Sequence, residues 1–499
     1  MTIRTVFLFL AVFIIGFLLR AQESISRNFI FLIDQGRDMM AVKSIVFDHH
    51  LTLIGPYTSL QGLFQGPLWY YLLAIPTFIT QGDPWGTVAL MLIISLSVLV
   101  IVFFWLKKNF GNKTALLTAF LFAVSPEAVA AATYSWNPHP MWFLIPVSAL
   151  SLYEVIKKKY RFHLVLWPTL SLMFHFETAL AVFLLLAYIT VAVVFYRENL
   201  KTKFFLYGIS IAFLLFLPQI LFDVRHNFLM SSSVFKIFTG SKQGLLVKGE
   251  SIYYPNLIFN HGISFFENFR SSFSDGRKIV LLAKLFSLVI IFFLFFGKKY
   301  KLLTSSEHRF CVLLGRILLA VYLLSFLYPF PIRYWFLTGF QSYYLLLFGL
   351  ILGAIWRYPM GRIFVLAITA LFLFLALLRL QLLYINPPND GGVAKIKGKT
   401  AAIDYVYNKA QGENFGLFVF TPPVNTDAYD YLVWWHGKNK YGYVPHKDKK
   451  GEFYLLIEPD PGQPWTYQGW LDTVIKTGKI KSTVTLPSGF IIQQRYETL

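Results

Sequence analysis

Long apolar segments alternate with short polar ones along most of the chain. A helix needs about 20 apolar residues to cross the hydrocarbon core of a bilayer, within a range of roughly 17–25. The segment 67–80 is shorter and contains Pro76, so we expect an interfacial or re-entrant helix there. The pattern predicts membrane spans at 4–21, 85–106, 114–132, 141–156, 162–175, 178–196, 204–221, 278–297, 309–329, 335–356 and 361–381.

The pattern changes near residue 382, where the chain becomes mostly polar. Segment 386–392 is rich in Pro, Asn and Gly, which cannot continue a helix, and is predicted to be a linker. The sequence therefore predicts a transmembrane domain at 1–381 and a small soluble α/β domain at 382–499. In the second domain we expect helices at 397–410, 428–438 and 465–476, strands at 415–420 and 453–457, and a hairpin formed by 481–485 and 489–495.

The composition agrees with a polytopic helical membrane protein. Hydrophobic residues make up 56% of the chain and charged residues only 14%, which a soluble globular protein does not need. The net charge of +20 comes from short basic runs between apolar segments, so nucleic acid is not a predicted partner. The chain has one cysteine, Cys311, which excludes an intrachain disulfide.

The basic runs predict the topology. If the N-terminus is cytoplasmic and 67–80 does not cross, all the basic loops fall on the cytoplasmic side, as the positive-inside rule expects. Residues 20–23 lack a small-residue cleavage pattern, so the first span is predicted to be retained. The polar tail then lies outside the cytoplasm. The basic loops contain Lys107, Lys108 and Lys113; Lys157, Lys158, Lys159 and Arg161; Arg197, Lys201 and Lys203; Lys298, Lys299, Lys301 and Arg309; and Arg357 and Arg362.

The first extracytoplasmic loop carries candidate catalytic residues. An ionisable group near a membrane boundary is costly to place and therefore suggests function. Asp34 or Asp38 could act as a general base, and the planar Arg37 guanidinium suits phosphate oxygens. On a helix, Asp34 and Asp38 would share a face and repel each other, which could raise one pKa or bind a divalent cation. The alternatives are a solvated loop carboxylate and a local ion pair between Arg37 and Asp38.

The position of these residues limits the chemistry. A site outside the cytoplasm, without a phosphate-cradling loop, cannot rely on cytosolic nucleotides, so an activated substrate would arrive on a lipid. Transfer of a sugar from a lipid phosphate to a hydroxyl needs a base, cationic groups for the leaving phosphate, and a groove for the lipid chain.

The order of motifs resembles the membrane glycosyltransferases of the GT-C class. The similarity is greatest to the family 39, protein mannosyltransferase-like and aminoarabinose transferase-like group, whose first loop reads roughly Asp-Glu-x-Arg-Tyr before a Pro-Pro-Leu-x-Tyr-Trp helix. Asp34 matches the catalytic acidic residue of that group and Arg37 matches its arginine. The resemblance implies a GT-C fold, a polyprenyl-phosphate sugar donor and inversion at the anomeric carbon. The following helix is matched by Pro67, Leu68, Tyr70 and Tyr71.

Three departures from this pattern affect the donor. Gln35 replaces the second carboxylate, and Asp38 replaces the tyrosine. Gln65 and Gly66 stand where the aminoarabinose transferases carry Glu-Lys, so their lipid-phosphate lysine is absent. The phosphate would then be bound by Arg37, Arg225 or Arg333.

The other extracytoplasmic loops supply further candidates. Some of them have a structural alternative. His175 and Glu177 could be a polar pair at a helix end, Asn137 could be a cap, and residues 223–226 could form an interfacial charge pair. The adjacent His49 and His50 point apart, so no metal-ligand set is predicted; no cofactor is certain, and a divalent cation is compatible with the site but not required. Candidates for binding substrate or lipid phosphate are Gln65, Tyr70, His175, Glu177, Arg225, His226 and Arg333, and candidates on the acceptor side are Asn137 and His139.

These observations predict an integral membrane glycosyltransferase, in a bacterial plasma membrane, that uses a polyprenyl-phosphate sugar and an extracytoplasmic glycan, lipid or protein acceptor. One alternative is a transporter or flippase of lipid-linked sugars, although internal repeats and broken helices are not evident. Another is a polysaccharide ligase or polymerase with a diphosphate-linked donor. A third is a non-enzymatic sensor whose tail domain binds a ligand.

Overall fold

The computed structural model describes residues 2–58, 60–238, 254–274, 280–328, 330–385, 392–460 and 462–498. Helices dominate the first 385 residues. In chain order from α1 to α16 they are Ile3–Ser26, Ile33–Val46, Leu68–Ile79, Trp85–Phe110, Asn112–Val124, Pro126–Ala130, Met141–Ile156, His163–Leu172, Thr178–Tyr196, Lys203–Arg225, Leu229–Phe238, Tyr254–Ser271, Val280–Phe296, Ser305–Ser325, Gln341–Ile355 and Pro359–Tyr384.

The protein is an integral membrane protein. Within the described residues, six segments are long and apolar enough to cross a bilayer, and they contain helices α1, α4, α9, α10, α14 and α16. The other predicted spans coincide with the shorter helices α5, α7, α8, α13 and α15. The number of crossings, and the interfacial position of α3, stay predictions.

Two helix boundaries differ from the sequence prediction. The predicted span at 114–132 is interrupted, because α5 ends at Val124 and Pro126 starts α6. Proline lacks the backbone N–H that a continuing helix needs, but it fits the first turn of a new one. The predicted loop at 222–277 is also wrong in part: α10 continues to Arg225, and α11 and α12 follow. Residues 239–253 and 275–279 of that loop lie outside the described residues, as does most of the predicted linker.

Helix α15 lies at the centre of the transmembrane part, since every residue from Gln341 to Ala354 is buried. It packs closely on α5 through two glycines. A Cβ added at Gly349 or Gly353 would lie 2.2 Å from the hydroxyl of Thr118 or Thr114. Small residues allow such close contact between helix backbones, as in other membrane helix pairs.

The C-terminal part is a small α/β unit, as predicted. Strands β1 and β2 pair in parallel, β2 and β4 antiparallel, and β3 and β4 form the predicted hairpin. Residues 453, 455 and 457 of β2 face one core, and 454 and 456 face the other, because side chains alternate along a strand. Its elements are α17 Ile396–Ala410, β1 Gly416–Phe420, α18 Asp427–Leu432, α19 Lys438–Tyr441, β2 Gly451–Ile457, α20 Thr466–Trp470, β3 Lys479–Thr485 and β4 Ile491–Glu497.

This unit packs directly on α2, the helix that carries Asp34. The segment before α2 forms a bridge to the start of α17, in which the Phe31 amide donates to the Ala394 carbonyl at 3.0 Å. Helix α18 then lies against α2 at Gly36, where an added Cβ would be 2.2 Å from the backbone nitrogen of Ala428. Trp434, which follows α18, contacts Phe47 just beyond the end of α2.

Replacing Gly36 by valine is expected to force α2 and α18 apart. Overpacking of this kind destabilises a protein by about 1–3 kcal/mol. We expect a lower midpoint of thermal unfolding for the purified full-length protein. The matched control is Gly469→Ala in α20, because a Cβ at Gly469 meets no atom within 4 Å. An unchanged midpoint for Gly36→Val would contradict the close contact.

Candidate active site

An ion-pair cluster is formed at the start of α2, where residues three and four apart share one face of the helix. The Arg37 guanidinium lies 3.0 Å from Asp34 Oδ1 and 2.8 Å from Asp38 Oδ1. The sequence predicted repulsion between two carboxylates on this face. Arg37 offsets that repulsion by supplying a positive charge between them.

Asp38 is the buried member of the cluster, with 2% of its side chain exposed. It accepts a hydrogen bond from the indole N–H of Trp69 at 2.7 Å, in addition to the contacts with Arg37. Burial raises the pKa of Asp38 to about 6, and Arg37 and Trp69 oppose that rise. Because Asp38 is not among the residues that line the large cavity described below, the prediction that it acts as a base does not fit its placement.

Asp34 is the accessible carboxylate, with 42% of its side chain exposed. Its Oδ2 accepts a hydrogen bond from the indole N–H of Trp136 at 3.0 Å, so both of its oxygens are oriented. Gln35 fixes the first turn of α2: its Oε1 accepts from the Leu32 amide, and its Nε2 donates to the Ser135 carbonyl. The segment 135–136 and α2 are thus connected twice.

Asp34 faces a cavity of about 900 Å³. One wall is apolar and comes mainly from α9 and α10, including Val182, Phe183, Leu186 and Phe216. The cavity therefore combines a polar region with an apolar one. The titratable and amide side chains in its lining include Asp34, Arg37, Gln65, Asn137, Glu177, Gln219, Asp223 and Arg333.

Gln65, Asn137 and Glu177 form a connected polar wall. The Asn137 amide donates to Gln65 Oε1 at 3.0 Å and to the carbonyl of Phe176 at 2.8 Å. Glu177 caps the N-terminus of α9 by accepting from the Ala179 amide at 3.2 Å. Burial raises the pKa of the Glu177 carboxyl to about 8.

His175 and His139 are buried beside the cavity and are not among its lining residues. The Nδ1 of His175 accepts from the Leu68 amide and its Nε2 donates to the Leu215 carbonyl. A Cβ at Gly66 would lie 1.9 Å from this imidazole, so only glycine fits there. His139 is bonded to the Tyr134 carbonyl, and burial lowers its pKa to about 4. Both histidines have structural contacts, and neither meets the substrate-facing placement that the sequence suggested.

The remaining candidate site residues lie in the core, at the surface and in the cavity lining. Tyr70 is buried in the large hydrophobic core, beside Arg37. Arg225 and His226 are exposed and do not line the cavity, whereas Arg333 does. Because α10 extends to Arg225, residues 223 and 225 point about 200° apart on the helix. Asp223, which the sequence did not single out as a site residue, therefore faces the cavity in place of Arg225.

Asp223 anchors α11 over the cavity by accepting bonds from the Met230 amide, at 2.6 Å, and from Ser231. Trp136 and Gln219 are other lining residues absent from the predicted set. The helical spacing of Gln219 and Asp223, four residues apart, could have indicated that they share a face. Among the described residues, no three His, Cys, Asp or Glu side chains are grouped as a metal site requires.

Glu177→Gln provides a test of the raised pKa. A raised pKa means that the folded protein holds the proton more tightly, so this stabilisation is complete below pH 4.5 and is lost as pH rises through about 8. We expect the glutamine variant to gain stability relative to wild type over that range, by about 1.4 kcal/mol per pH unit at most. Thermal unfolding of both proteins between pH 5 and 9 measures the difference. Parallel pH profiles would show that Glu177 is not buried in this way.

The sequence was compared with models of protein families and with curated protein sequences. The family model described as dolichyl-phosphate-mannose-protein mannosyltransferase matches residues 65–222. Among curated protein sequences, none matches this chain.

Several solved structures are similar to the chain. ArnT from Cupriavidus metallidurans, solved with undecaprenyl phosphate bound, is 12% identical with a TM-score of 0.60, and the similarity covers 98% of this chain and 97% of ArnT. Its apo structure gives a TM-score of 0.57 with the same identity and coverage. The oligosaccharyltransferase of Archaeoglobus fulgidus gives a TM-score of 0.49 at 12% identity, over 98% of this chain and 73% of that one. The chain therefore has the fold of ArnT, and the predicted resemblance to the GT-C membrane glycosyltransferases is confirmed.

Proposed function

We propose that this protein is a membrane glycosyltransferase that moves a sugar from a polyprenyl-phosphate donor to an acceptor hydroxyl outside the cytoplasm. The observation that carries the proposal is the accessible Asp34 carboxylate, oriented by Arg37 and Trp136, on a cavity with one apolar wall. A base must reach the acceptor proton, and a lipid-linked donor needs an apolar surface beside a polar reaction centre.

In the proposed reaction the acceptor oxygen attacks the anomeric carbon of the sugar from the face opposite the phosphate. The new carbon–oxygen bond forms as the bond to the phosphate oxygen breaks, so the anomeric configuration inverts and the polyprenyl phosphate leaves. Asp34 accepts the hydroxyl proton. Asp38 is a positioning residue, because it reaches Asp34 only through Arg37.

Arg333 is the best-placed cation for the phosphate. It lines the cavity and, within the described part of the chain, no hydrogen bond or ion pair engages its guanidinium. Arg37 faces two carboxylates, so its charge is already compensated. The apolar wall formed by α9 and α10 would contact the lipid chain. ArnT, which shares the fold, was solved with undecaprenyl phosphate, a lipid of this chemical class.

The proposed orientation follows from charge. We place the N-terminus and the basic loops in the cytoplasm, and the cavity and the C-terminal unit outside it, in a bacterial plasma membrane. The C-terminal unit packs on α2 near Gly36 and would hold the catalytic helix in place. Which sugar is transferred, and whether the acceptor is a glycan, a lipid or a protein, would follow from the transfer assay.

Asp34→Asn is expected to lower transfer by about 10²–10⁴-fold, because the amide cannot accept the acceptor proton. The assay uses purified protein in liposomes, radiolabelled undecaprenyl-phosphate sugars and a cell-envelope extract as acceptor. Asp48→Asn is the matched control, since Asp48 is an exposed carboxylate that pairs with Lys43 and is not among the cavity-lining residues. Equal activity of wild type and Asp34→Asn would show that the base lies elsewhere. Movement of lipid between leaflets without any transfer would support the flippase alternative.

Arg333→Gln is expected to raise the KM for the donor by about 10–100-fold, because a charge-assisted contact to phosphate contributes about 1.5–3 kcal/mol. Arg225→Gln is the control, since that arginine is exposed and does not line the cavity. The kinetics of transfer at varied donor concentration separate the two variants. If Arg225→Gln raised the KM and Arg333→Gln did not, the phosphate would bind outside the cavity, at the C-terminus of α10.

A further inference from the structure

The polar wall beside Asp34 leaves defined hydrogen-bonding groups for a ligand. The Phe176 carbonyl can only accept, so Asn137 must present its amide nitrogen to it. The same nitrogen donates to Gln65, which must therefore present its oxygen to Asn137. These two hydrogen bonds determine the orientation of both amide groups. Gln65 Nε2 and Asn137 Oδ1 therefore take no part in the contact between the two side chains.

Three groups on this wall remain available. Gln65 Nε2, Asn137 Oδ1 and Glu177 Oε2 have no hydrogen-bond partner in the part of the chain that the structure describes. All three side chains are more than nine-tenths buried, and all three line the cavity. Buried polar groups normally have hydrogen-bond partners. These three groups are therefore available to form hydrogen bonds with a ligand in the cavity.

The backbone holds these groups in fixed positions. Gln65 is bonded through its backbone to Gly55 and Pro56, at 2.8 Å in each case. Asn137 is tied to Phe176 by its side chain, and Glu177 is the cap of α9. Trp136, next to Asn137 in sequence, bonds Asp34. The wall is therefore continuous with the carboxylate that we propose as the base.

We propose that Gln65, Asn137 and Glu177 form the subsite that binds the transferred sugar through its hydroxyl groups, and that this subsite takes sugars without an acidic group. The inference rests on the proposed function and deepens it. One amide donor, one amide acceptor and one carboxyl group match sugar hydroxyls, each of which both donates and accepts a hydrogen bond.

The charge of the wall sets the substrate class. No lysine or arginine of the described chain is bonded to Gln65, Asn137 or Glu177. Burial raises the pKa of Glu177 to about 8, and no cation opposes that rise. The two arginines of the same cavity are already engaged, since Arg37 pairs with Asp34 and Asp38 and Arg333 is proposed to bind the phosphate. A uronic acid would therefore bring its carboxylate to this wall without a free counter-charge, and burial of an unpaired charge is costly.

The experiment compares two affinities of the full-length protein in detergent. The first is for undecaprenyl phosphate, and the second is for undecaprenyl phosphate carrying glucose, mannose or galactose. We expect wild type to bind one or more of the sugar-bearing lipids about tenfold more tightly than the bare lipid, as two or so hydrogen bonds would give. Gln65→Met and Glu177→Leu should each bring that ratio towards one, with the affinity for the bare lipid unchanged.

The controls separate the subsite from general effects on the cavity. Glu177→Gln keeps a donor and an acceptor and should retain the wild-type ratio. Val182→Thr changes the polarity of the apolar wall and should also retain it. The lipids that carry the matching uronic acids should bind no more tightly than the bare lipid.

The possible outcomes separate a failure of the proposed subsite from a failure of the proposed function. If Gln65→Met and Glu177→Leu weaken both affinities equally, or leave the ratio intact, the subsite is wrong while the proposed function stands. Uronic acid donors that bind as tightly as hexose donors overturn the proposed charge selection. If wild type binds no lipid of either kind, the proposed function fails and the subsite fails with it.

Discussion

The candidate site depends on the burial of one guanidinium. Only 13% of the Arg37 side chain is exposed, and a buried charge is stable only where it is paired and hydrogen-bonded. Two carboxylates satisfy this requirement, one on each side, and their roles differ because only Asp34 reaches the cavity. The indole N–H of Trp69, on α3, donates a hydrogen bond to Asp38. Loss of the contact with Asp38 would leave the buried guanidinium paired only with the accessible Asp34.

The same cluster joins parts of the chain that are far apart in sequence. Trp136, about a hundred residues after Asp34, orients the accessible carboxylate. The C-terminal unit approaches α2 from another direction and leaves no room for a side chain at Gly36. Helix α2 is therefore enclosed by α3, the segment before α7, and the α/β unit. This enclosure explains how a short polar helix can keep a fixed orientation beside a membrane.

The cavity separates two kinds of surface. Apolar side chains of α9 and α10 form one wall, and amide, carboxyl and guanidinium groups lie elsewhere in the lining among further apolar side chains. A lipid-linked sugar has the same division, with an apolar chain, an anionic phosphate and a hydroxylated ring. Arg333 and the wall containing Glu177 would receive the phosphate and the ring, respectively. Asp34 lies in the same lining, where an acceptor hydroxyl can reach it.

The sequence by itself determined the helical membrane architecture and the α/β tail with its hairpin, because apolar length and alternation are properties of neighbouring residues. It also suggested Asp34 and Arg37 as site residues from their local spacing, and that role stays a proposal. Only the tertiary structure decided which candidates meet. It buried Asp38 and His175, turned Arg225 outwards by extending α10, and brought Arg333 and Glu177 to one cavity. The reason is physical: the end of a helix and the packing of distant segments depend on contacts that local patterns do not encode.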